Sequence, residues 1–224
     1  MSHEVKILKI QKLTPDTRSY QVEKPADYSF IPGQATEVAI NKKGLENKKR
    51  PFTFTSLNSS KYLEFIIKSY FDHNGITKKL FNLSVGDGLV IDQPWGSIKY
   101  KGPGIFIAGG AGVTPFLAIL RQLQLDNQLQ DNRLILSNKT STDIILEKEL
   151  KQMFISSPKN LLLTLTNEKN SNYLNEFINQ NFLKKYINNF KQNFYLCGPP
   201  AMVKELKKIL LNLEAQPTTL VFEK

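Results

Sequence analysis

The stretch Ile105–Pro115 reads IFIAGGAGVTP, and it joins an apolar run to a glycine-rich turn. The run Ile105–Ala108 is continuous, as expected of a parallel strand that is buried on both faces. Glycines allow a tight turn, and Thr114-Pro115 predicts the start of a helix whose free N–H groups face that turn. Such turns are often purely structural, but this one would also suit a pyrophosphate, with the Thr114 hydroxyl as an extra donor.

The rest of the C-terminal half alternates between apolar runs and amphipathic segments. The further runs are Leu134–Leu136, Leu161–Leu165, Phe194–Cys197 and Leu220–Phe222. Apolar residues at helical spacing occupy Asp143–Phe154, where Leu146 belongs to the apolar face, and Pro200–Leu213. This alternation predicts an α/β domain with a doubly wound parallel sheet.

The N-terminal half is typical of antiparallel β-structure. Leu63–Lys68 alternates as a strand with one strongly buried face would, and other short strands are predicted at Val5–Ile7, Tyr20–Val22 and Thr36–Ile40. Turn residues separate them, so six short strands in an antiparallel barrel are expected. Residues 74–83 have helix-compatible spacing. The predicted domains are residues 1–101 and 102–224, divided near Gly102-Pro103-Gly104.

Composition excludes several classes of protein. The single cysteine excludes an intramolecular disulfide and a cysteine-ligated iron–sulfur cluster or multi-cysteine zinc site within the chain, and no metal site is expected. No apolar stretch reaches the roughly 18–20 residues that span a bilayer, so no membrane span is expected. The N-terminal residues have no apolar signal region, which predicts a cytoplasmic protein.

The chain is basic, with a net charge of +10 from 30 Lys and Arg against 20 Asp and Glu. Only four of the basic residues are arginines, and they are scattered along the chain. Three interpretations remain open: a biased amino-acid composition, an acidic protein partner, or a nucleic acid. The third would make the barrel half a non-enzymatic binding module.

Arg50–Ser56 reads RPFTFTS and carries the chemistry of the β-rich half. Arg50 is suited to bidentate phosphate binding, since its guanidinium presents a planar fork of donors. Phe52 could lie against a flat aromatic ring, and Thr53 could offer its hydroxyl to a ring nitrogen. An ordinary strand with a charged start and an aromatic core fits the same residues.

Two further motifs stand at predicted helix starts. Cys197–Pro200 reads CGPP and follows a buried strand, so Cys197 is expected at the edge of the sheet where α/β proteins bind ligands. A lone cysteine is also common as a small buried apolar residue. Lys68-Ser69-Tyr70 precedes Gly75–Thr77, which would form a weak anion cradle at the start of a short helix.

Together the motifs resemble the ferredoxin–NADP reductase superfamily, and the resemblance covers essentially the whole chain. Each motif is modest alone, but six in the family's order are specific. They occupy Arg50–Thr53, Lys68–Thr77, Gly86–Gly96, Gly109–Pro115, Cys197–Pro200 and Glu223. The chain is similar to the short flavodoxin-reductase type, without a fused iron–sulfur domain. The family fold is a flavin-binding antiparallel barrel followed by a nicotinamide-nucleotide domain.

The resemblance implies a role for each matching residue. Arg50 would bind a flavin phosphate, Phe52 would pack on the isoalloxazine in place of the family's tyrosine, and Thr53 would hydrogen-bond flavin N5. The rest of the implied flavin site is Pro51, Ile67, Lys68, Tyr70, Gly75, Ile76 and Thr77. The implied nucleotide site is Gly110, Gly112 and Thr114 at the pyrophosphate, Asn138 and Lys139 at the adenosine ribose, and Cys197, Gly198 and Pro199 at the nicotinamide. Thr53, Cys197 and Glu223 would form the catalytic group.

The implied activity is transfer of electrons from NADPH or NADH, through FAD in preference to FMN, to an acidic carrier protein such as flavodoxin or ferredoxin. A reductase component of a multicomponent oxygenase and a free-flavin or ferric reductase are the alternatives. The nucleotide choice stays open, because Lys169 would favour a 2′-phosphate and Glu168 beside it would not. A monomer is expected.

Overall fold

The computed structural model describes residues 2–72, 75–96, 98–216 and 220–222 of the chain. Its Cα positions divide into two compact units, Met1–Gly96 with Thr114–Ile119, and Ser97–Val113 with Leu120–Lys224. The predicted boundary between residues 101 and 102 stays a prediction. None of the described helices is both long and apolar enough to cross a membrane.

The N-terminal half forms an antiparallel sheet and one short helix. Its elements are β1 (His3–Lys12), β2 (Thr17–Glu23), β3 (Ala35–Ile40), β4 (Arg50–Thr53), β5 (Tyr62–Lys68), α1 (Ile76–Phe81) and β6 (Gly88–Ile91). The described strands follow the order β4-β3-β6-β1-β2-β5. The edge strands β4 and β5 meet through a bridge between Phe54 and Phe65, which nearly closes the sheet. The predicted six-stranded antiparallel barrel is therefore confirmed.

The barrel core is aromatic. Phe54 and Phe65 are buried, and Phe30 stacks on Phe54 with 4.2 Å between ring centroids. Ile76 and Leu80 of α1 join this core, and the Tyr20 hydroxyl donates to the Leu80 carbonyl at 3.0 Å. Burial raises the pKa of Tyr20 to about 12, so this donor keeps its proton at physiological pH. The short helix is thus fixed to the barrel by both packing and a hydrogen bond.

The C-terminal half forms a parallel sheet with helices between its strands. The elements are β7 (Gly104–Gly109), α2 (Thr114–Leu125), β8 (Arg133–Asn138), α3 (Glu147–Met153), β9 (Leu161–Leu165), α4 (Gln180–Tyr186), β10 (Asn193–Cys197), α5 (Pro200–Asn212) and β11 (Leu220–Phe222). The described strands follow the order β11-β10-β7-β8-β9. Every residue of the central strand β7 is buried, which explains its unbroken apolar run. The predicted α/β architecture is confirmed.

Two sequence predictions need correction. The helix expected over Asp143–Phe154 spans only Glu147–Met153, because Leu146 adopts a left-handed conformation with φ of 54° and cannot share its face. The preceding turn is closed instead by hydrogen bonds between Thr140 and Asp143. Strand β5 is buried on both faces rather than one. A charged residue is tolerated there because Ser19 and Thr55 donate to the Glu64 carboxylate.

Candidate functional site

The RPFT motif forms the edge strand β4 and presents the side-chain donors of Arg50 and Thr53. Arg50 is exposed, and its Nη1 donates to the Lys49 carbonyl at 2.8 Å. Among the described residues no carboxylate pairs with the Arg50 guanidinium, whereas the ammonium of Lys49 lies 2.7 Å from Asp92. The half-buried Thr53 hydroxyl has no hydrogen bond within the same residues. A phosphate and a ring nitrogen are the acceptors that these donors fit.

Phe52 is half-buried and packs partly against the barrel core, so part of its ring remains available to a planar ligand. Pro51 is exposed beside it. Ile67 and Ile76, which the resemblance also placed at the flavin, are core residues with 1% and 7% exposure. These two isoleucines therefore leave little surface for contact with a flavin.

Lys68 is held by an ion pair. Its ammonium lies 2.5 Å from a carboxylate oxygen of Asp16, and Thr14 and Thr17 each donate to the same carboxyl group at 3.0 Å. Burial would raise the pKa of Asp16, but the hydrogen bond and charge of Lys68 outweigh it, with the two threonines, and lower that pKa. No sequence motif indicated Asp16 as the partner of Lys68, since the two residues are 52 positions apart.

The predicted anion cradle is a tight local structure. Ser69 donates its hydroxyl to the Thr77 carbonyl at 3.0 Å, and the Tyr70 amide donates to the Thr77 hydroxyl at 3.5 Å. Gly75 precedes α1 without a side-chain cap, and the first turn of α1 contains no acidic residue. Tyr70 is 48% exposed. These features suit an anion near the start of α1.

The glycines of the C-terminal unit have two different roles. Gly110 has φ of +53°, and a Cβ added there would meet no atom within 4 Å. A Cβ on Gly112 would lie 2.3 Å from the Cys197 carbonyl oxygen, and one on Gly109 would lie 2.6 Å from Met202 Sδ. Gly112 therefore permits contact between two loops, while Gly110 leaves an open backbone surface that suits a pyrophosphate. The half-buried Thr114 begins α2 directly after this turn.

Strands β7 and β10 are neighbours and bring the two predicted loops together. Cys197 pairs in register with Ala108, at the carboxyl end of both strands. Gly198, with φ of +154°, would place a Cβ 3.0 Å from the Gly109 amide nitrogen. The Cys197 side chain is half-buried and Pro199 is exposed. Cys197 therefore lies at the carboxyl edge of the sheet, and its contact with a ligand there stays a prediction.

The carboxyl end of β8 carries the predicted ribose residues. Asn138 is 6% exposed; its amide nitrogen donates to the Asp143 carbonyl at 2.9 Å, whereas its buried Oδ1 has no partner among the described residues. Lys139 is exposed, and its carbonyl accepts from the Asn167 amide at 2.9 Å. An unpaired buried acceptor beside an exposed cation fits a hydroxyl-bearing ligand.

Glu168 is fixed at the same edge. Its carboxylate accepts from the Ser141 amide at 2.7 Å, from the Ser141 hydroxyl at 3.0 Å and from the Asn170 side chain at 3.0 Å. These donors, Asn170 first and then Ser141, lower the pKa of Glu168. An ionised carboxylate therefore stands where β8 and β9 end. From the sequence, Glu168 was considered only beside Lys169, in the choice between NADPH and NADH. Ser141 was not identified as the donor that holds the Glu168 carboxylate.

Part of the predicted catalytic group stays untested. Glu223 lies outside the described residues, and Thr53 and Cys197 belong to different compact units. Their assembly into one group therefore remains a prediction. No cluster of three metal-ligating side chains occurs in the part of the chain that the structure describes.

Comparison with known proteins agrees with this geometry. The model described as "Oxidoreductase FAD-binding domain" matches residues 4–100, and that described as "Oxidoreductase NAD-binding domain" matches residues 106–208. NADH-cytochrome b5 reductase 1 of Laccaria bicolor is 30% identical over 224 residues, which cover 92% of this chain and 71% of that protein. The chain belongs to the ferredoxin reductase-like family of FAD- and NAD-binding oxidoreductases. The resemblance seen in the motifs is thereby confirmed.

Other family members extend the comparison. NADH-cytochrome b5 reductase 1 of Eremothecium gossypii is 31% identical over 73% of this chain, which spans 62% of that relative's length. The fold of a ferredoxin NADP+ reductase from Neisseria gonorrhoeae, solved with bound FAD and NADP, superposes with a TM-score of 0.86 at 22% identity. That superposition covers 99% of this chain and 98% of the other. The superposition agrees with the fold, and the two family models assign an FAD-binding domain to residues 4–100 and an NAD-binding domain to residues 106–208.

Proposed function

We propose that this chain is an NADH-dependent flavoprotein reductase that delivers electrons to a b5-type cytochrome. The observation that carries the flavoprotein part is the pair of donors on β4: among the described residues no carboxylate pairs with the exposed Arg50 guanidinium, and no hydrogen bond engages the Thr53 hydroxyl. Bound FAD would supply the chemistry, accepting a hydride from the nicotinamide and releasing electrons one at a time. The protein supplies binding, orientation and electrostatics.

Each site residue has a specific task in this proposal. Arg50 binds a flavin phosphate through its fork of donors, Phe52 packs against the flavin ring, and the Thr53 hydroxyl donates to N5. Gly110 lets the nucleotide pyrophosphate approach the backbone, since no side chain intervenes. Cys197 flanks the nicotinamide from the end of β10.

NADH is proposed as the electron donor. The ionised Glu168 carboxylate stands beside the predicted ribose residues, where it would repel the 2′-phosphate of NADPH. Both homologous reductases described above carry NADH in their names. Lys139 and Lys169 are exposed nearby and would reduce this repulsion, so discrimination of about tenfold is expected, which corresponds to about 1.4 kcal/mol.

A b5-type cytochrome replaces flavodoxin or ferredoxin as the proposed acceptor. The homologues are named for cytochrome b5, and the net charge of +10 suits any acidic carrier. Charge alone therefore does not separate the three acceptors. Flavodoxin and ferredoxin were expected from the resemblance to the wider superfamily. Its members share the two cofactor domains, so the motifs of these domains do not distinguish one acceptor from another.

The test uses the purified full chain reconstituted with FAD. We expect a yellow protein that NADH bleaches anaerobically, and faster reduction of cytochrome b5 than of flavodoxin or ferredoxin. Cytochrome reduction should slow as salt rises, because screening acts over about 8–10 Å at physiological ionic strength, while ferricyanide reduction should change less. A protein that stays colourless after desalting overturns the flavoprotein proposal. Preferential reduction of flavodoxin or ferredoxin overturns only the choice of acceptor.

A further inference from the structure

The gap between the edge strands β4 and β5 is the seam of the barrel. It is bridged where the Thr55 amide donates to the Glu64 carbonyl at 2.8 Å, beside the bridge between Phe54 and Phe65. Four buried polar residues lie at this point, and we call them the seam cluster: Ser19, Thr55, Ser56 and Glu64. The proposed flavin residues occupy both edge strands, so the seam lies between them.

The Glu64 side chain connects the parts of the seam cluster. Its Oε2 accepts from the Thr55 hydroxyl at 2.8 Å, and its Oε1 accepts from the Ser19 hydroxyl at 2.9 Å. The Glu64 amide donates to the Ser56 hydroxyl at 3.1 Å. Glu64 is 9% exposed and Thr55 is fully buried. One carboxylate therefore joins β2, β5 and the segment that follows β4.

A buried carboxylate is a costly way to hold two strands together. Burial of a charge is unfavourable even when hydrogen bonds satisfy it, and well-packed apolar residues usually stabilise a core at least as well. What the carboxylate provides instead is direction, since charge-assisted hydrogen bonds are short and geometrically specific. At the seam, such a directional hydrogen bond can orient the segment after β4 relative to β5.

We propose that Glu64 is a positioning residue for FAD, acting through its hydrogen bond to Thr55. Thr55 is two residues beyond Thr53, and Lys68 is four residues beyond Glu64 on β5. At about 3.3 Å per residue these separations are roughly 7 Å and 13 Å along the strands. Fixing Thr55 against Glu64 thus fixes the RPFT motif against the far end of β5. The inference rests on the FAD binding proposed above.

The two hydroxyl bonds to Glu64 differ in what they hold. Ser19 lies on β2, which pairs with β5 along a continuous ladder from Thr17 to Glu23, so this bond adds little alignment. The Thr55 hydroxyl bond crosses the seam, where the regular ladder of β4 has ended at Thr53 and the Thr55 amide bond to the Glu64 carbonyl, with the bridge between Phe54 and Phe65, takes the place of a continuous ladder. Loss of the Thr55 bond should therefore move the flavin residues, and loss of the Ser19 bond should not.

The experiment compares Thr55→Val with Ser19→Ala in the full chain. Each variant removes one hydroxyl that donates to the same carboxylate, and Thr55→Ser restores the hydroxyl. The measurements are the FAD dissociation constant of deflavinated protein, the visible circular dichroism of bound flavin, and the unfolding midpoint without FAD. We expect Thr55→Val to weaken FAD binding about tenfold, in line with loss of one buried charge-assisted bond. Its flavin dichroism should change, whereas Ser19→Ala and Thr55→Ser should bind FAD within about twofold of wild type.

Equal weakening by Thr55→Val and Ser19→Ala would overturn the proposal, as would a lower unfolding midpoint with unchanged FAD affinity and dichroism. The first result would remove the distinct role of the Thr55 bond, and the second would assign the seam cluster to folding alone. Should Thr55→Val not fold, Glu64→Gln is measured in its place, because it keeps the size of the side chain and loses one acceptor. Failure of the wild-type chain to bind FAD is a separate outcome, which contradicts the proposed function.

Discussion

Gly112 lies against the backbone of Cys197, so closely that a Cβ on Gly112 would stand 2.3 Å from the Cys197 carbonyl oxygen. The same Cβ would lie 2.7 Å from the Gly198 Cα. The loops after β7 and β10 therefore pack backbone to backbone, and glycine is the residue that permits it. Gly110, two residues earlier, meets no such neighbour.

The two glycines should respond differently to substitution. Gly112→Ala should destabilise the fold by about 3 kcal/mol, because the methyl group has no room against a carbonyl. Gly110→Ala should cost about 1–2 kcal/mol, the penalty of a left-handed conformation. It should also lower NADH affinity, because the added methyl group would occupy the open backbone surface proposed for the pyrophosphate. Thermal unfolding and titration calorimetry with NADH measure the two effects. Unchanged NADH affinity in folded Gly110→Ala contradicts the assignment of the open surface.

Arg50 should be required for its shape as well as its charge. Arg50→Lys keeps the positive charge but loses the bidentate fork, so FAD affinity should fall about tenfold. Lys48→Ala is the matched control, because Lys48 is an exposed cation two residues away. Equal FAD dissociation constants for wild type and Arg50→Lys would mean that Arg50 acts only as a point charge.

The features that could be predicted from the sequence are those determined by residues close together in the chain. Apolar runs and turn residues were sufficient to predict the antiparallel and the parallel sheet. Glycine-rich turns were sufficient to locate the loops after β7 and β10. Contacts over long sequence separations were not predictable: nothing in the sequence paired Lys68 with Asp16 or Glu168 with Ser141. The role of Gly112 in loop packing was also missed. A glycine is needed both where two loops approach closely and where a ligand approaches the backbone, so the residue alone does not distinguish the two roles.

The ion pair between Asp16 and Lys68 predicts a pH dependence of stability. The pKa of Asp16 is lowered in the folded protein, so below its ordinary value of 3.8 the folded state binds fewer protons than the unfolded state. The stabilisation is complete above about pH 5 and is lost as pH falls through the folded pKa. Asp16→Asn should therefore be less stable than wild type by about 1 kcal/mol at pH 7, because both side chains of the pair are partly exposed.

Denaturant unfolding of wild type and Asp16→Asn between pH 3 and pH 8 checks this sign. The difference in unfolding free energy should be constant from pH 5 to pH 8 and should shrink at lower pH. A difference that grows on acidification would contradict the lowered pKa of Asp16.

Glu168 should control discrimination against NADPH. Glu168→Gln keeps the shape of the side chain and removes its charge, so affinity for NADP+ should rise about tenfold while affinity for NAD+ stays within about threefold. Glu176→Gln is the control, since Glu176 also follows β9 but pairs with Lys185 at 2.7 Å. Titration calorimetry with both oxidised nucleotides gives the ratio. An unchanged ratio in Glu168→Gln would remove this residue from nucleotide selection.

Thr53 and Cys197 should affect the rate of flavin reduction more than the affinity for either cofactor. Neither is proposed as a covalent nucleophile. Each would shape the approach of the nicotinamide to the flavin, so its contact would stabilise the transition state and removing that contact should slow the reaction. Removing one well-placed group should slow reduction about 100-fold, or roughly 2.7 kcal/mol. Stopped-flow reduction of Thr53→Ala, Cys197→Ala and Glu223→Ala at saturating NADH measures this, with cofactor dissociation constants determined in parallel. Wild-type rates in all three variants would mean that Phe52 and the glycine-rich loops align the cofactors without them.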